Sequence, residues 1–140
     1  GAVITPNFSL FGEDPIAVQL WQLYRSRYVG RYFGEAGIKL IPDIQWTDER
    51  SLEWFLMGLP EKIGIAMQVQ NMVLKTEQER KWFRDGWHEI NKQIKPLWIL
   101  VYGTQAKRDY INKLASETNS NIIWVEARVN KNRTRMKLND

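Results

Sequence analysis

Leu97-Trp98-Ile99-Leu100-Val101-Tyr102, followed by Gly103-Thr104, is the stretch that decides the fold. Its six residues are uncharged and apolar at odd and even positions alike, which predicts a strand covered on both faces. Such strands lie in the middle of parallel sheets. Pro96 stands ahead of the run, and Gly103-Thr104 turns the chain into an amphipathic stretch. The unit therefore reads helix, strand, helix.

Working outward, the same alternation continues on both sides. Upstream, Thr76 and Glu79 have the separation of a capping box. Behind them Phe83, Trp87, Ile90 and Ile94 recur at i, i+4, i+7 and i+11, one apolar stripe of a helix that Pro96 ends. Residues 63–69 read as the preceding strand, after the Gly58-Leu59-Pro60 break. Residues 38–46 read as another, and Thr47 is placed to cap a short helix with Asp48 and Glu49 in its first turn. Asp14-Pro15 offers an N-cap and a first-turn proline to a helix through Gln19, Trp21, Tyr24, Tyr28 and Tyr32, stopping at Gly37. A first strand over residues 2–5 weakens at Pro6. Downstream, Ala106, Tyr110, Leu114 and Ala115 mark the buried side of a helix, and residues 122–129 form the last strand.

This β-α-β-α-β-α-β-α-β rhythm predicts one α/β domain over residues 1–129. Its expected form is three layers around a mainly parallel five-stranded sheet with right-handed crossovers. A half-barrel fragment has the same rhythm and is the alternative. Residues 130–140 are set apart as a basic tail. Residues 1–127 hold 15 basic and 15 acidic side chains, so the net charge of +4 arises beyond them, in Arg128, Lys131, Arg133, Arg135 and Lys137 against Asp140. Zero cysteines exclude disulfides, thiol nucleophiles and cysteine metal sites, and fit a reducing cytoplasm. No run approaches the roughly 18 apolar residues of a membrane span, so no membrane partner is expected. The chain opens Gly-Ala-Val-Ile with no signal peptide, and the missing initiator Met predicts a longer parent chain. Oligomeric state is not encoded in any feature of the sequence.

Open α/β sheets bind ligands beyond the carboxyl ends of their strands. The polar residues there are Asn7 and Ser9, Asp43, Gln45 and Trp46, Gln68, Gln70 and Asn71, Thr104, and Glu126. Asp43 and Glu126 would form a carboxylate pair suited to Mg²⁺ and to metal-assisted phosphodiester cleavage. The competing reading is that strand ends are polar because they meet water. Gln68 and Gln70 share one face of an apolar strand, where a buried amide needs partners. They suit either a ligand or base edge, or the backbone of the rim, and the second reading is slightly favoured.

A second candidate surface is Tyr24-Arg25-Ser26-Arg27-Tyr28-Val29-Gly30-Arg31-Tyr32-Phe33. Arg25, Arg27 and Arg31 among tyrosines suit phosphate contacts and base stacking. Tyrosines at i, i+4 and i+8 more often form a core stripe, and that reading is preferred on amphipathic grounds. Arg128, Lys131, Arg133, Arg135 and Lys137 add a polyanion-binding tail or a solvated terminus. Of the seven tryptophans, Trp82, Trp87, Trp98 and Trp124 fit core positions. His88 lies off the apolar stripe and is expected to be exposed.

No Walker loop and no Gly-x-Gly-x-x-Gly occurs, and no catalytic triad can be assembled, so an enzymatic role is left open. Ile4-Thr5-Pro6-Asn7-Phe8-Ser9, Gln19-Leu20-Trp21, Tyr24-Arg25-Ser26-Arg27, Gly37-Ile38-Lys39-Leu40-Ile41-Pro42 with Trp46, Phe83, Gly86 and Glu89 ahead of Pro96, and Tyr102-Gly103 together carry a resemblance. Over residues 4 to 104 the chain resembles the uncharacterised phage and mobile-element family catalogued as domain of unknown function 4417. That family often carries Asp where Asn7 stands here. The resemblance implies a mobile-element setting without an assigned activity. The leading expectation is a nucleic-acid-associated protein of replication or DNA processing. The alternatives are a metal-dependent nuclease and a module that binds a host protein.

Overall fold

A computed structural model describes residues 1–70, 72 and 74–127. Its elements run β1 (Ala2–Ile4), α1 (Ile16–Glu35), β2 (Lys39–Ile41), a 3-10 turn (Glu49–Glu53), β3 (Gly64–Gln68), α2 (Glu77–Gln93), β4 (Trp98–Gly103), α3 (Gln105–Thr118) and β5 (Ile122–Glu126). The apolar run does form a middle strand: β4 pairs in parallel with β3 on one side and β5 on the other.

The expected five-stranded sheet is instead two small parallel sheets, β1-β2 and β3-β4-β5. Pro42 is the physical reason. A proline has no N–H to give to a ladder, so β2 stops at Ile41 rather than running to residue 46. The backbone continues beside β3 with one bridge, Asp43 to Ala66, held by Ile44 N–H to the Ala66 carbonyl and Ala66 N–H to the Pro42 carbonyl, both 2.8 Å. On its other side Asp43 gives its N–H to the Thr5 hydroxyl at 2.9 Å, a side chain standing in for a ladder carbonyl.

Strand order follows chain order across the bridge, so each right-handed crossover lands on the same side. That consecutive order is the one a half-barrel has, whereas helices on both faces of one sheet need the order to reverse. Ile65, Met67, Val69, Ile99 and Val101 form the core with Phe83, Trp87 and Ile90 of α2, Ile94 at its end, and Ile111 and Leu114 of α3. The opposite face carries Leu100, Tyr102, Ile123 and Val125, the last two 45% and 40% exposed. Trp98 lies flat across Gly64 on that face; a Cβ on Gly64 would sit 2.0 Å from its ring.

α2 matches its sequence pattern. Thr76 accepts from Glu79 N–H at 3.1 Å and the Glu79 carboxylate accepts from Thr76 N–H at 2.9 Å, completing the capping box. Phe83, Trp87, Ile90 and Ile94 are all buried. Gly86 faces Trp46 so closely that a Cβ would meet its Nε1 at 2.2 Å, and that indole donates to the Trp82 carbonyl at 3.0 Å. His88 is exposed.

α1 overturns the core-stripe expectation. Tyr24, Tyr28 and Tyr32 are 56%, 60% and 66% exposed, and the buried positions are Gln19, Ser26 and Gly30. Three smaller boundaries also differ. Pro15, not Asp14, is the N-cap of α1. Asp48, not Thr47, caps the 3-10 turn by accepting from Arg50 N–H at 3.1 Å. In α3, Ala106 is exposed and Ile111 is buried in its place. β5 ends at Glu126, and Arg128 and Val129 lie outside the described residues. Among the described residues no helix is long and apolar enough to cross a membrane.

Candidate functional site

Three parallel strands ending side by side leave a hollow beyond their carboxyl ends, because the chain leaves each strand in a different direction. Here β1 is followed by the loop 5–15, β2 by residues 42–48, and β3 by the turn that leads to α2. Between them lies a cleft of about 690 Å³. Asn7, Ser9, Gln45, Trp46 and Gln68 line it, so half of the strand-end residues named from the sequence do converge.

Their amides are held in defined orientations. Gln45 Nε2 donates to the Phe8 carbonyl at 3.4 Å and to Asp43 Oδ2 at 3.3 Å. Asn7 Nδ2 donates to Gln68 Oε1 at 3.4 Å. Asp43 sits directly behind Gln45 and is buried. Burial pushes its carboxyl up to about 7, against the smaller opposing effects of the Gln45 hydrogen bond and the positive field of Arg27. Trp46 is buried and packs on Phe55 and Phe83, so it is a wall of the cleft and not a free stacking surface.

Gln70, Thr104 and Glu126 lie elsewhere. The Gln70 carbonyl accepts from Lys107 Nζ at 2.8 Å, a bond of the rim's backbone. Thr104 is the N-cap of α3 without a side-chain bond. Asn71 lies outside the described residues, as do Arg128, Lys131, Arg133, Arg135 and Lys137. Glu126 is not placed beside Asp43. The register aligns Asp43 with Ala66, Leu100 and Ile123, whereas Glu126 shares the other face of β5 with Trp124 and Ile122. The two carboxylates are also three strand spacings apart, about 14 Å. One Mg²⁺ with ligand distances near 2.1 Å cannot join them. Among the described residues no group of three or more His, Cys, Asp or Glu is placed to hold a metal ion.

Several lining residues escaped the sequence reading. Leu10 and Phe11 come from the first loop, Met72 and Leu74 from the turn after β3, and Glu79 and Trp82 from α2. The signal was present in the loop, where Phe8, Leu10 and Phe11 are apolar without strand or helix period. Lys107 was missed with no available signal: its ammonium donates to the Val69 carbonyl at 2.6 Å and also to those of Gln70 and Met72, pinning the turn after β3. Desolvation lowers its pKa.

The Arg/Tyr helix divides sharply. Arg27 turns inward and donates to the carbonyls of Phe55 and Met57, both at 3.0 Å, so it is a structural tie and not a free contact. Its burial draws it down to about 10. Arg25 and Arg31 remain exposed, the first over the Phe8 ring at 4.1 Å, the second paired with Glu35 at 2.8 Å. Between them runs an outward stripe of Trp21, Tyr24, Tyr28 and Tyr32, in which Trp21 stacks on Tyr24 with ring centres 5.7 Å apart and Tyr28 is tilted against Tyr24 at 6.0 Å.

Comparison with known proteins agrees with the resemblance read from the sequence. The family model for a domain of unknown function, DUF4417, matches residues 1–119. The "Gene 1 protein" of Mycobacterium phage L5 is 34% identical over 104 residues, which is 74% of this chain and 44% of that protein. The "Gene 1 protein" of Mycobacterium phage D29 is 31% identical over 113 residues, 80% of this chain and 41% of that protein. The chain thus spans less than half the length of these curated relatives. No solved structure matches it significantly.

Proposed function

We propose that this protein, which belongs to the DUF4417 family, is nucleic-acid-associated and contacts single-stranded DNA or RNA through the outward face of α1. One observation carries the reading: Trp21, Tyr24, Tyr28 and Tyr32 form an exposed aromatic stripe on a helix whose remaining contacts are already satisfied. Leaving more than half of each ring in water forgoes part of the about 1.5–3 kcal/mol that full burial of a large apolar side chain is worth. Aromatic rings spaced along a surface offer stacking platforms to successive bases, worth about 1–3 kcal/mol per base. Arg25 and Arg31 flank the stripe with the charge that a phosphate backbone requires. Binding then falls as salt rises, with affinity for oligothymidylate strongest near 50 mM salt and a log–log slope set by the few phosphates neutralised. Fluorescence anisotropy of a labelled 20-nucleotide single strand, titrated at several salt concentrations, tests this. An absence of binding at about 50 mM salt overturns it.

A further inference from the structure

The row of rings on α1 has a definite length and little charge beside it, and the two together name the kind of strand it fits. Trp21, Tyr24, Tyr28 and Tyr32 follow one another at spacings of three, four and four residues, which keeps them on one side of the helix. From first to last the rise is about 16 Å, at about 1.5 Å per residue. Each ring is more than half exposed. The row is also partly ordered before anything binds. The planes of Trp21 and Tyr24 are 20° apart, and Tyr28 leans on Tyr24 at 30°. Side chains that already support one another lose less freedom when a ligand covers them.

Charge along the same helix is scarce. α1 carries Arg25, Arg27 and Arg31 against Glu35. Arg27 is engaged by the Phe55 and Met57 carbonyls, and Arg31 is paired with Glu35. That leaves Arg25, which lies over the Phe8 ring, and a partly neutralised Arg31 to meet phosphate. A single strand that gives up one or two phosphates to them has a log–log salt slope between about −0.7 and −1.4. Duplex is a poor fit: its bases are stacked on each other, so the rings meet no free base face until the pair is opened, which costs free energy.

We infer that α1 takes a short unpaired stretch of about four nucleotides, one to each ring, held chiefly by stacking and only secondarily by charge. This rests on the reading of α1 as a nucleic-acid surface, and adds to it a footprint, a preference for unpaired strand and a shallow salt dependence. The salt dependence separates α1 from the basic residues beyond Ala127. A strand held by Arg128, Lys131, Arg133, Arg135 and Lys137 would show a slope of about −3.5.

Oligothymidylates of about 2–12 nucleotides and a duplex of about 12 base pairs, titrated against the full chain by fluorescence anisotropy at about 50–200 mM salt, test the inference. Affinity is expected to climb steeply up to about four nucleotides and then only with the number of positions on offer, and the duplex to bind about tenfold or more weakly. Tyr32→Ala should weaken the four-nucleotide strand about tenfold at an unchanged salt slope, whereas Arg25→Met should flatten the slope by about 0.7. Both side chains are exposed, so neither change threatens the fold. Three results overturn the inference alone: steep gains beyond about eight nucleotides, a slope steeper than about −2, or a duplex bound as tightly as the single strand. Binding of no oligonucleotide at about 50 mM salt overturns the reading of α1 and this inference with it.

Discussion

α1 lies beside β1 and β2 and α2 packs on the core of β3 and β4, yet the two long helices are held by opposite means. α2 buries Phe83, Trp87 and Ile90 and turns its charges outward. α1 buries Gln19, Ser26 and Gly30 and turns Trp21, Tyr24, Tyr28 and Tyr32 outward. Each inward polar group of α1 has a partner. Ser26 Oγ donates to the Pro6 carbonyl at 3.1 Å, Gln19 Nε2 donates to the Asp14 carbonyl at 2.9 Å, and Gln19 Oε1 accepts from the Thr47 hydroxyl at 3.0 Å. Gly30 lets Thr5 come close, within 3.2 Å of where a Cβ would stand. Area burial therefore fastens α2, whereas fixed hydrogen bonds and small residues, with Leu23 against the core, fasten α1. A helix of the second kind has its outward aromatic residues free for another surface.

The contrast breaks most visibly at Trp87. Trp87→Ala removes the largest fully buried side chain and its bond to the Thr118 hydroxyl at 2.9 Å. A loss of about 3–5 kcal/mol in urea unfolding is expected; a loss below about 1 kcal/mol would mean that α2 is not seated as described.

Next comes Asp43, buried close enough to α1 to feel the charge of Arg27. Its carboxyl is raised from an ordinary 3.8 to about 7, so the unfolded chain ionises first as pH rises. Native stability from this group therefore falls between about pH 4 and pH 7 and is flat above, since the folded state holds the extra proton in that window. Asp43→Asn removes the slope. It should stabilise the protein at pH 8 by up to about 4 kcal/mol and little at pH 4. Equal stability changes at the two pH values would refute the assignment.

Arg27→Met tests the polar fastening of α1 itself. The substitution keeps the stem and strips the donors from the Phe55 and Met57 carbonyls, at a cost of about 1.5–3 kcal/mol. Thr76→Ala, at the cap of α2, should cost about 1 kcal/mol. An Arg27 effect smaller than the Thr76 effect would make α1 an ordinary amphipathic helix.

The legibility of the sequence follows the same division. α2 was readable because its period and its capping box are local signals that the core reinforces. β4 was readable as a middle strand because it is apolar on both faces. The strand-end cleft was half readable, since Asn7, Gln45 and Gln68 converge by topology, but Gln70, Thr104 and Glu126 leave it by register and by position around the sheets. The separation of the sheets turned on Pro42, one residue inside an apparent strand. The direction of α1 was hidden because its inward partners, Pro6, Thr47 and Phe55, are distant in sequence. Tyrosines at helical spacing look alike whether a core or a ligand lies opposite.

The most direct measurement joins stability and binding in one variant, Trp21→Ala/Tyr24→Ala/Tyr28→Ala. These side chains are more than half exposed, so the unfolding free energy should change by no more than about 0.5 kcal/mol per site. Affinity for single-stranded oligothymidylate should fall by about 100-fold or more, as three stacking platforms are lost. A variant that loses several kcal/mol of stability while binding as tightly as the wild type would place the aromatic stripe in the core and contradict the account.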